Sequence, residues 1–355
     1  MKPSQSNDVN PGPIVLFGSG ETSPSGRKVF ERVLRHLPMR PRLALLETPA
    51  GFELNSAQVI GRVGEFLVHR LQNYQPQVEI VAARQRGTPF SPDDPQIVAP
   101  LLSADLIFMG PGSPSYAVRQ LRDSLAWQYL LARHRLGAAL VLASAAAIAV
   151  STVSLPVYEI YKVGEDLHWV EGLDLFGAYG LSLAIVSHWD NKEGGAELDT
   201  RYGLMGRERF QRLLSMLPED VMVVGIDEHT ALVMDLEAGE CRVMGRGGVT
   251  LVRDGKEASF PTGESFAISE LGPFRLPAPA HGIPRDVWEQ VLAARSEALQ
   301  QPAKDAPQKV LSLVEEREAA RARRDWGTSD ELRDRIADLG WQIRDTAAGP
   351  EVLPL

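Results

Sequence analysis

The stretch of sequence that decides the fold is AALVLASAAAIAV, at residues 138–150. Its first half is a short apolar run, typical of a strand that is buried on both faces of a parallel sheet, and the alanines that follow suit a helix. Ser144 lies at the junction. A serine between a strand and a helix can lift its hydroxyl above the sheet edge, as in a nucleophile elbow. The alternative is a serine that caps a buried helix, and the pattern leaves both readings open.

Similar apolar runs precede this one, and helical patterns separate them. The runs are IVLFGS (14–19), RLALLET (42–48), VEIVAAR (78–84) and ADLIFMG (104–110). The helical patterns cover residues 26–36, 57–72 and 115–134. This alternation predicts an α/β fold with a mostly parallel central sheet flanked by helices. Ligands bind such sheets at the carboxyl ends of the strands, so we expect the residues that follow each strand to meet there.

The alternation changes after residue 150. Residues 151–180 indicate an irregular or hairpin excursion. LSLAIVSH (181–188) and VMVVGID (221–227) are expected to resume the sheet, with a helix at about residues 204–216 between them. Short runs between turn sequences over residues 230–271 predict an antiparallel, β-rich ending.

The length of 355 residues favours one large domain with an additional piece. We expect a disordered tail at 1–13, an α/β domain at 14–272, Pro-rich linkers with one helix at 273–307, and a small helical module at 308–355. Within the module, residues 308–339 predict a pair of charged helices, and the residues that follow predict a small hairpin.

Composition excludes several classes of protein. A chain with 44% hydrophobic and 23% charged residues is ordinary for a soluble globular protein. The single cysteine, Cys241, rules out an internal disulfide framework and a thiolate zinc cage. The net charge of −9 argues against broad nucleic-acid binding.

The sequence gives no sign of a membrane segment, a cofactor or a metal site. The polar N-terminus does not resemble a signal peptide, and the longest weakly polar stretch, 137–150, is too short to span a bilayer. We therefore expect a cytoplasmic protein without a membrane span. GSGETSPSG (18–26) lacks the spacing of a nucleotide-binding loop, and the histidines lack a metal-ligand spacing, so neither cofactor nor metal is expected.

Two more polar residues follow predicted strands. His188 ends IVSH, and Glu228 follows VMVVGID. If these strands end at the same edge of one sheet as Ser144, the histidine can act as a general base and the carboxylate can orient it. The alternatives are a histidine that bonds to its own loop and a solvated acid.

The order of these motifs resembles the dipeptidase E and cyanophycinase family of serine peptidases, over roughly residues 14–270. The motifs are GSGE (18–21), ADLIFMGPGSPSY (104–116), SAAA (144–147), GLDL (172–175), SHWD (187–190) and GIDEHTAL (225–232). The resemblance implies a class I glutamine amidotransferase-like fold. It also implies Ser144 as nucleophile, His188 as base and Glu228 as acid. In the dipeptidase branch the acid lies between serine and histidine, which makes Glu159 the competing residue.

The same resemblance implies backbone oxyanion donors at Gly112 and Ala145. Arg201, Arg207 and Arg209 are candidates for binding a substrate carboxylate, although a solvated surface face explains them equally well. The chain departs from the family where Leu142 and Ala146 stand in place of the two elbow glycines. A glutaminase needs a cysteine at the elbow, so serine at 144 disfavours that activity.

The C-terminal sequence at 316–349 resembles the terminal helical piece of cysteinyl-tRNA synthetase. This resemblance implies tRNA contact through residues 308–355. Charge gives it little support, because residues 306–355 hold eight basic and ten acidic side chains. The nucleotide-binding signatures and zinc-ligand cysteines of a synthetase are missing, so the chain is not itself a synthetase.

The sequence thus predicts a serine-type hydrolase of the dipeptidase E and cyanophycinase type, which cleaves a peptide or isopeptide bond through an acyl-enzyme. Its expected partner is a small peptide substrate, and a homodimer is the usual default for a soluble enzyme. The alternative, motivated by Leu142 and Ala146, is a catalytically degenerate amidotransferase-fold protein that binds tRNA or another protein.

Overall fold

The structure is a computed structural model, and it describes residues 10–38, 40–346 and 349–354. The chain divides into two compact units, the first ending at Glu289 and the second beginning at Gln290. The first nine residues of the predicted N-terminal tail lie outside the described residues. At the end of that tail, the Gly12 N–H donates a hydrogen bond to the His134 carbonyl at 3.0 Å.

The large sheet of the first unit confirms the predicted α/β class. Five parallel strands in the described residues lie in the order β1-β5-β4-β2-β3. Their bounds are β1 (Ile14–Phe17), β2 (Arg42–Leu46), β3 (Gln77–Val81), β4 (Leu106–Met109) and β5 (Ala139–Ala143). Every residue of β1, β4 and β5 is buried, as expected where helices cover both faces of a parallel sheet.

Helices connect these strands, and one prediction is corrected. The helices are α1 (Pro24–Leu34), α2 (Ser56–Arg70), α3 (Pro95–Val98), α4 (Pro114–Leu121), α5 (Leu125–Arg135), α6 (Ala145–Ala149) and α7 (Gly206–Leu214). The single helix predicted at 115–134 is two helices. Asp123 adopts a left-handed φ of 58°, and Ser124 caps α5 by accepting a hydrogen bond from the Trp127 N–H at 3.2 Å. Short polar residues favour both conformations, so they end one helix and begin the next.

The next two predicted strands do not resume the large sheet, and that prediction was wrong. Strands β8 (Leu183–Val186) and β9 (Met222–Ile226) are parallel neighbours in a separate sheet. The other edge of β9 pairs antiparallel with β12 (Gly248–Arg253), which continues to β13 (Lys256–Pro261). An apolar run shows that a strand is buried, but it does not identify the neighbour that its backbone will choose. Tertiary pairing decided this point.

The predicted excursion and the β-rich ending complete the first unit. The excursion contains the short hairpin of β6 (Val153–Ser154) and β7 (Val170–Glu171) and a π-helical turn at Glu159–Val163. The ending adds antiparallel strands to the large sheet beyond β1, in the order β10, β11 and β14. These are β10 (Thr230–Asp235), β11 (Glu240–Gly245) and β14 (Ser265–Ala267). Because β9 and β10 belong to different sheets, residues 227–229 cross between the two.

The second unit confirms the predicted small helical module. Helix α8 (Arg285–Asp305) begins at the end of the first unit, so the second Pro-rich segment, 300–307, is helical as far as Asp305. The pair α9 (Gln308–Ala322) and α10 (Trp326–Asp338) is followed by the hairpin β15 (Trp341–Thr346) and β16 (Gly349–Pro354). Apolar side chains from the helices and the hairpin form its core, among them Val310, Leu313, Leu332, Ile336 and Ile343.

Candidate active site

Ser144 occupies a strained turn between β5 and α6. Its φ of 52° and ψ of −112° lie outside the helical region, and such a conformation costs a non-glycine residue on the order of 1–3 kcal/mol. The turn is held in place because the Ser144 N–H donates to the Phe17 carbonyl at 3.0 Å and Ser187 Oγ donates to the Ser144 carbonyl at 3.2 Å. The hydroxyl therefore stands at the carboxyl edge of the large sheet, in the geometry of a nucleophile elbow.

The elbow forms without glycines at the two departing positions. Leu142 is fully buried in β5, where its backbone pairs with Leu16 and Met109 of the neighbouring strands. Ala146 is also fully buried in α6. Both side chains thus pack inside the sheet and helix layers while Ser144 keeps its strained conformation.

His188 reaches Ser144 from the second sheet. It follows β8, and its Nε2 lies 2.9 Å from Ser144 Oγ, which is a normal hydrogen-bond distance. His188 also has a left-handed φ, of 55°. Two backbone hydrogen bonds hold the loop at this point. The Trp189 N–H donates to the Ile226 carbonyl at 3.0 Å, and the Gly203 N–H donates to the His188 carbonyl at 3.3 Å. The serine and histidine thus meet across two sheets rather than at the edge of one.

Glu228 completes a chain of hydrogen bonds from the segment that crosses between the sheets. Its Oε1 lies 2.8 Å from His188 Nδ1 and accepts a second hydrogen bond from Asn191 Nδ2 at 2.9 Å. The Glu228 N–H donates to Asp190 Oδ1 at 2.7 Å. Sequence reasoning missed Asp190 and Asn191, although they directly follow His188 in SHWDN and could have been considered as its loop partners.

The environment of Glu228 favours the ionised carboxylate. Burial acts to raise the pKa of Glu228, but hydrogen bonds from His188 and Asn191 and the nearby charges of His188 and His229 outweigh it, so the pKa lies below the ordinary value. A carboxylate that accepts from Nδ1 fixes the ring so that Nε2 faces the serine, and it stabilises an imidazolium. The arrangement can therefore withdraw a proton from Ser144.

Glu159 occupies a different place. Its Oε1 accepts a short hydrogen bond from Ser115 Oγ, and Ser115 Oγ lies 3.0 Å from Ser113 Oγ. Of the two carboxylates considered from the sequence, Glu228 is the one that contacts His188. Glu159 instead connects the excursion to the N-terminal end of α4.

The loops after β1, β2 and β4 converge near the same edge, as expected for a parallel sheet. Gly112 has a φ of 144°, and a side chain there would meet the Pro49 carbonyl oxygen at 1.9 Å, so only glycine fits this contact. Gly20 packs against His229 in a similar way, with a virtual Cβ 2.3 Å from Nδ1. Gly112 and Ala145 both line a cavity of about 140 Å³ together with Ser144 and His188.

The structure does not bring the three candidate arginines to this cavity. In the described residues, its remaining wall is formed by other side chains, including Tyr158, Asn191 and Glu193. Arg201 makes two hydrogen bonds of 2.8 Å to Asp199, and these bonds lower the pKa of Asp199 and raise that of Arg201.

The other two arginine residues also make hydrogen bonds within this segment. Arg209 Nε donates to the Met205 carbonyl at 2.7 Å. Arg207 donates its backbone N–H to Asp199 Oδ2 at 3.0 Å. The hydrogen bonds named for these three arginine residues therefore all lie within residues 199–209.

The described part of the chain contains no group of three or more His, Cys, Asp or Glu side chains that could hold a metal ion. None of its helices combines the length and apolar character needed to cross a membrane. Cys241 is buried in β11, and burial raises the pKa of its thiol.

The second unit matches a known family. Residues 303–351 match the family model described as the cysteinyl-tRNA ligase anticodon binding domain. The cysteine–tRNA ligase of Methanosarcina acetivorans is 56% identical over 48 residues, which are 14% of this chain and 10% of that protein. The ligase of Chlamydia caviae is 47% identical over 51 residues, 14% of this chain and 11% of that protein. The chain spans about a tenth of the length of these curated relatives, and the C-terminal resemblance is confirmed.

The first unit resembles a peptidase in its fold. The crystal structure of a peptidase from an acI-B1 Actinobacterium aligns with a TM-score of 0.59 and 21% identity, over 73% of this chain and 98% of that one. Identity at this level shows the fold alone. The peptidase-like fold inferred from the sequence motifs is thereby confirmed.

Proposed function

We propose that the first unit is a serine-type hydrolase that cleaves a peptide or isopeptide bond through an acyl-enzyme. The observation that carries the proposal is the continuous chain from Ser144 Oγ to His188 Nε2, at 2.9 Å, and from His188 Nδ1 to Glu228 Oε1, at 2.8 Å. The chain starts from a serine in a strained elbow conformation. Strain of this kind persists where the surrounding structure enforces it, and it concentrates at functional sites.

In the first half-reaction, Ser144 Oγ attacks the substrate carbonyl carbon while His188 Nε2 takes the hydroxyl proton. The carbonyl electron pair moves onto its oxygen, and backbone N–H groups at Gly112 and Ala145 are the proposed donors to that oxyanion. When the pair returns, the carbon–nitrogen bond breaks. His188 gives its proton to the leaving amine, and Glu228 stabilises the intermediate imidazolium.

In the second half-reaction, a water molecule takes the place of the amine. His188 removes a proton from the water, whose oxygen attacks the acyl carbon, and the ester bond to Ser144 breaks as the serine recovers a proton. The products are a carboxylic acid and the free enzyme. The cavity beside Ser144, about 140 Å³, is close in size to an engineered cavity of about 150 Å³ that holds benzene, so it suits one compact substrate group.

The elbow geometry favours this reading over a degenerate, purely binding protein. A degenerate protein would be favoured if Ser144 had helical backbone angles and its Oγ lay more than about 5 Å from His188 Nε2, outside hydrogen-bond reach. Ser144 is neither relaxed nor distant. Leu142 and Ala146 pack into the strand and helix, so they do not argue against a working elbow.

Labelling with a fluorophosphonate tests the proposal. Ser144 should displace fluoride from phosphorus, so the wild-type chain becomes covalently labelled, as mass spectrometry of the modified peptide can verify. Ser144→Ala should not be labelled. Ser215→Ala, at the exposed end of α7, is the matched control and should label like the wild type. Equal labelling of wild type and Ser144→Ala, or labelling of neither, would remove the nucleophile assignment.

A second candidate function belongs to the second unit. The match to an anticodon-binding domain is the observation that favours tRNA contact, and Trp326 is 57% exposed with the Arg321 guanidinium 5.9 Å from its ring centre. Exposed aromatic rings with neighbouring arginines can stack on unpaired bases. The two functions are compatible, because they use different units. Weaker tRNA binding after substitution of Trp326 would support this candidate.

A further inference from the structure

The wall of the cavity beside Ser144 carries negative charge. Among the described residues, the ionisable side chains in the wall are Tyr158, His188 and Glu193. His188 is hydrogen-bonded to Ser144 and Glu228, so it is committed to the proposed chemistry. Glu193 is therefore the charged side chain of the wall that remains for substrate binding. The Glu193 N–H donates to Asn191 Oδ1 at 3.1 Å, and this hydrogen bond holds the Glu193 backbone beside the cavity.

Further carboxylates lie close to the same space. Burial raises the pKa of the Tyr158 phenol, and the negative charges of Glu53 and Glu193 raise it further, so both carboxylates are within electrostatic reach of that ring. Glu21 is also close enough to His188 to interact with it electrostatically, although burial raises the pKa of Glu21 overall.

Two arginines of the segment that follows Glu193 do not contribute a positive charge to the cavity wall. Arg201 is paired with Asp199, and Arg209 is hydrogen-bonded to backbone carbonyls of its own segment. Neither lines the cavity within the described ranges. A substrate carboxylate would therefore meet like charge, whereas an ammonium or guanidinium group would find a partner in Glu193.

We infer that the site selects substrates whose acyl part carries a positive charge, with Glu193 as the specificity-determining residue. This inference rests on the proposed function, because it concerns the group that would become attached to Ser144. It differs from the sequence-based expectation of a carboxylate held by arginines. Electrostatic complementarity of this kind contributes mainly to the choice between substrates.

Charged fluorophosphonate probes test the inference on the full chain. Three probes of equal length would end in a primary ammonium, a methyl group or a carboxylate, and the second-order rate of Ser144 labelling would be measured for each. Wild type should label with the ammonium probe at least about fivefold faster than with the carboxylate probe, the range of a partly exposed ion pair. Raising the salt concentration should reduce the ratio, because ions screen exposed charges.

Two glutamate variants separate a local effect from an effect of net charge. Glu193→Gln should lower the ammonium-to-carboxylate ratio markedly, because the negative charge in the cavity wall is lost. Glu197→Gln is the matched control, since Glu197 is exposed on the same loop and is outside the cavity wall. It should keep the wild-type ratio. An equal loss of preference in both variants would overturn the assignment to Glu193.

The remaining outcomes distinguish this inference from the function on which it rests. Ser144-dependent labelling at equal rates with all three probes would overturn the charge selection and leave the hydrolase proposal standing. A faster reaction with the carboxylate probe would do the same. Absence of Ser144-dependent labelling with every probe would overturn the proposed function, and the inference with it.

Discussion

At the scale of single residues, the candidate site is built on two residues with strained backbones, and their side chains meet at a hydrogen-bond distance. Ser144 and His188 have φ values of 52° and 55°, a region that non-glycine residues rarely occupy. Each is held by backbone hydrogen bonds, from Ser144 to Phe17 and from Trp189 to Ile226. The strain thus fixes the direction of both side chains before any substrate binds, which reduces the reorganisation needed in a reaction.

The first residue-scale prediction concerns the negative charge of Glu228 and the rate of Ser144 labelling. Glu228→Gln keeps the size of the side chain but removes its negative charge, so an imidazolium at His188 is no longer stabilised. We expect the rate of Ser144 labelling to fall at least about 100-fold, within the range of general acid–base effects. Glu219→Gln, an exposed acid before β9, should react like the wild type.

The second residue-scale prediction concerns the pH dependence of the free energy of unfolding in the wild type and in Glu228→Gln. The pKa of Glu228 lies below its ordinary value in the folded chain, so ionisation of Glu228 stabilises the fold. This contribution is complete above the ordinary value of about 4.3 and is lost as the pH falls through the lower folded-state pKa. The difference in the free energy of unfolding between wild type and Glu228→Gln should therefore shrink below about pH 4. A difference that stays constant on acidification would contradict this assignment.

The candidate residues themselves were predictable, but their partners were not. Ser144, His188 and Glu228 each follow an apolar run, and that position is visible in the sequence. Asn191 contacts Glu228 because the loop after β8 folds back on itself. Such loop contacts depend on backbone turns that carry no periodic pattern, so sequence reasoning did not find them.

At the scale of elements, the excursion after α6 is tied to the loop that lines the cavity. Glu159 begins the π-helical turn and accepts from Ser115, and Ser115 Oγ contacts Ser113 Oγ. The Ser113 N–H in turn donates to the Pro49 carbonyl at 2.9 Å. Gly112, a proposed oxyanion donor, directly precedes Ser113. We expect this link to position the Gly112 backbone rather than to take part in proton transfer.

A double-mutant cycle tests the link. Ser115→Ala and Glu159→Ala should each slow Ser144 labelling about tenfold, because the loop that carries a proposed oxyanion donor loosens. The double variant should be no slower than the worse single variant, which corresponds to a coupling of about 1 kcal/mol or more. Glu159→Gln retains an acceptor for Ser115 and should restore most of the rate. Glu165→Ala, exposed on the same excursion, is the control, and additive effects in the cycle would show that the two side chains act separately.

The strands show why the sequence can indicate the residues of a candidate site and still give the wrong sheet for the strands that carry them. The parallel arrangement of β1 to β5 follows from alternating strands and helices, and the predicted parallel sheet is confirmed. The strands β8 and β9 have the same apolar character, yet they form a second sheet with β12 and β13. Hydrogen-bond partners of a strand are set by which edges remain open after the other strands have paired.

At the scale of the whole molecule, the described candidate catalytic residues all belong to the first unit, and the anticodon-binding match belongs to the second. This division separates their tests. A gel shift of the full chain with tRNA should weaken roughly tenfold in Trp326→Ala, the scale of one lost base-stacking contact. Leu276→Ala, which removes an exposed apolar side chain from the first unit, should bind like the wild type.

The interaction with tRNA should also depend on salt, because contacts to phosphates release counterions. Ser144 labelling should be unaffected by Trp326→Ala, since the two sites lie in different units. Unchanged tRNA binding in Trp326→Ala would remove the stacking role of this residue. The absence of binding by the wild-type chain would remove the tRNA candidate.

The sequence by itself determined the α/β class, the strand ends that carry Ser144, His188 and Glu228, and the small helical module at the C-terminus. These features follow from local periodicity and from polar residues at the ends of buried runs. Only the tertiary structure decided that Ser144 and His188 meet across two sheets, that Glu228 rather than Glu159 contacts the imidazole, and that the three candidate arginines do not line the cavity. These outcomes depend on contacts between residues distant in the chain, and side-chain type and spacing alone do not specify which of several available partners such residues will meet.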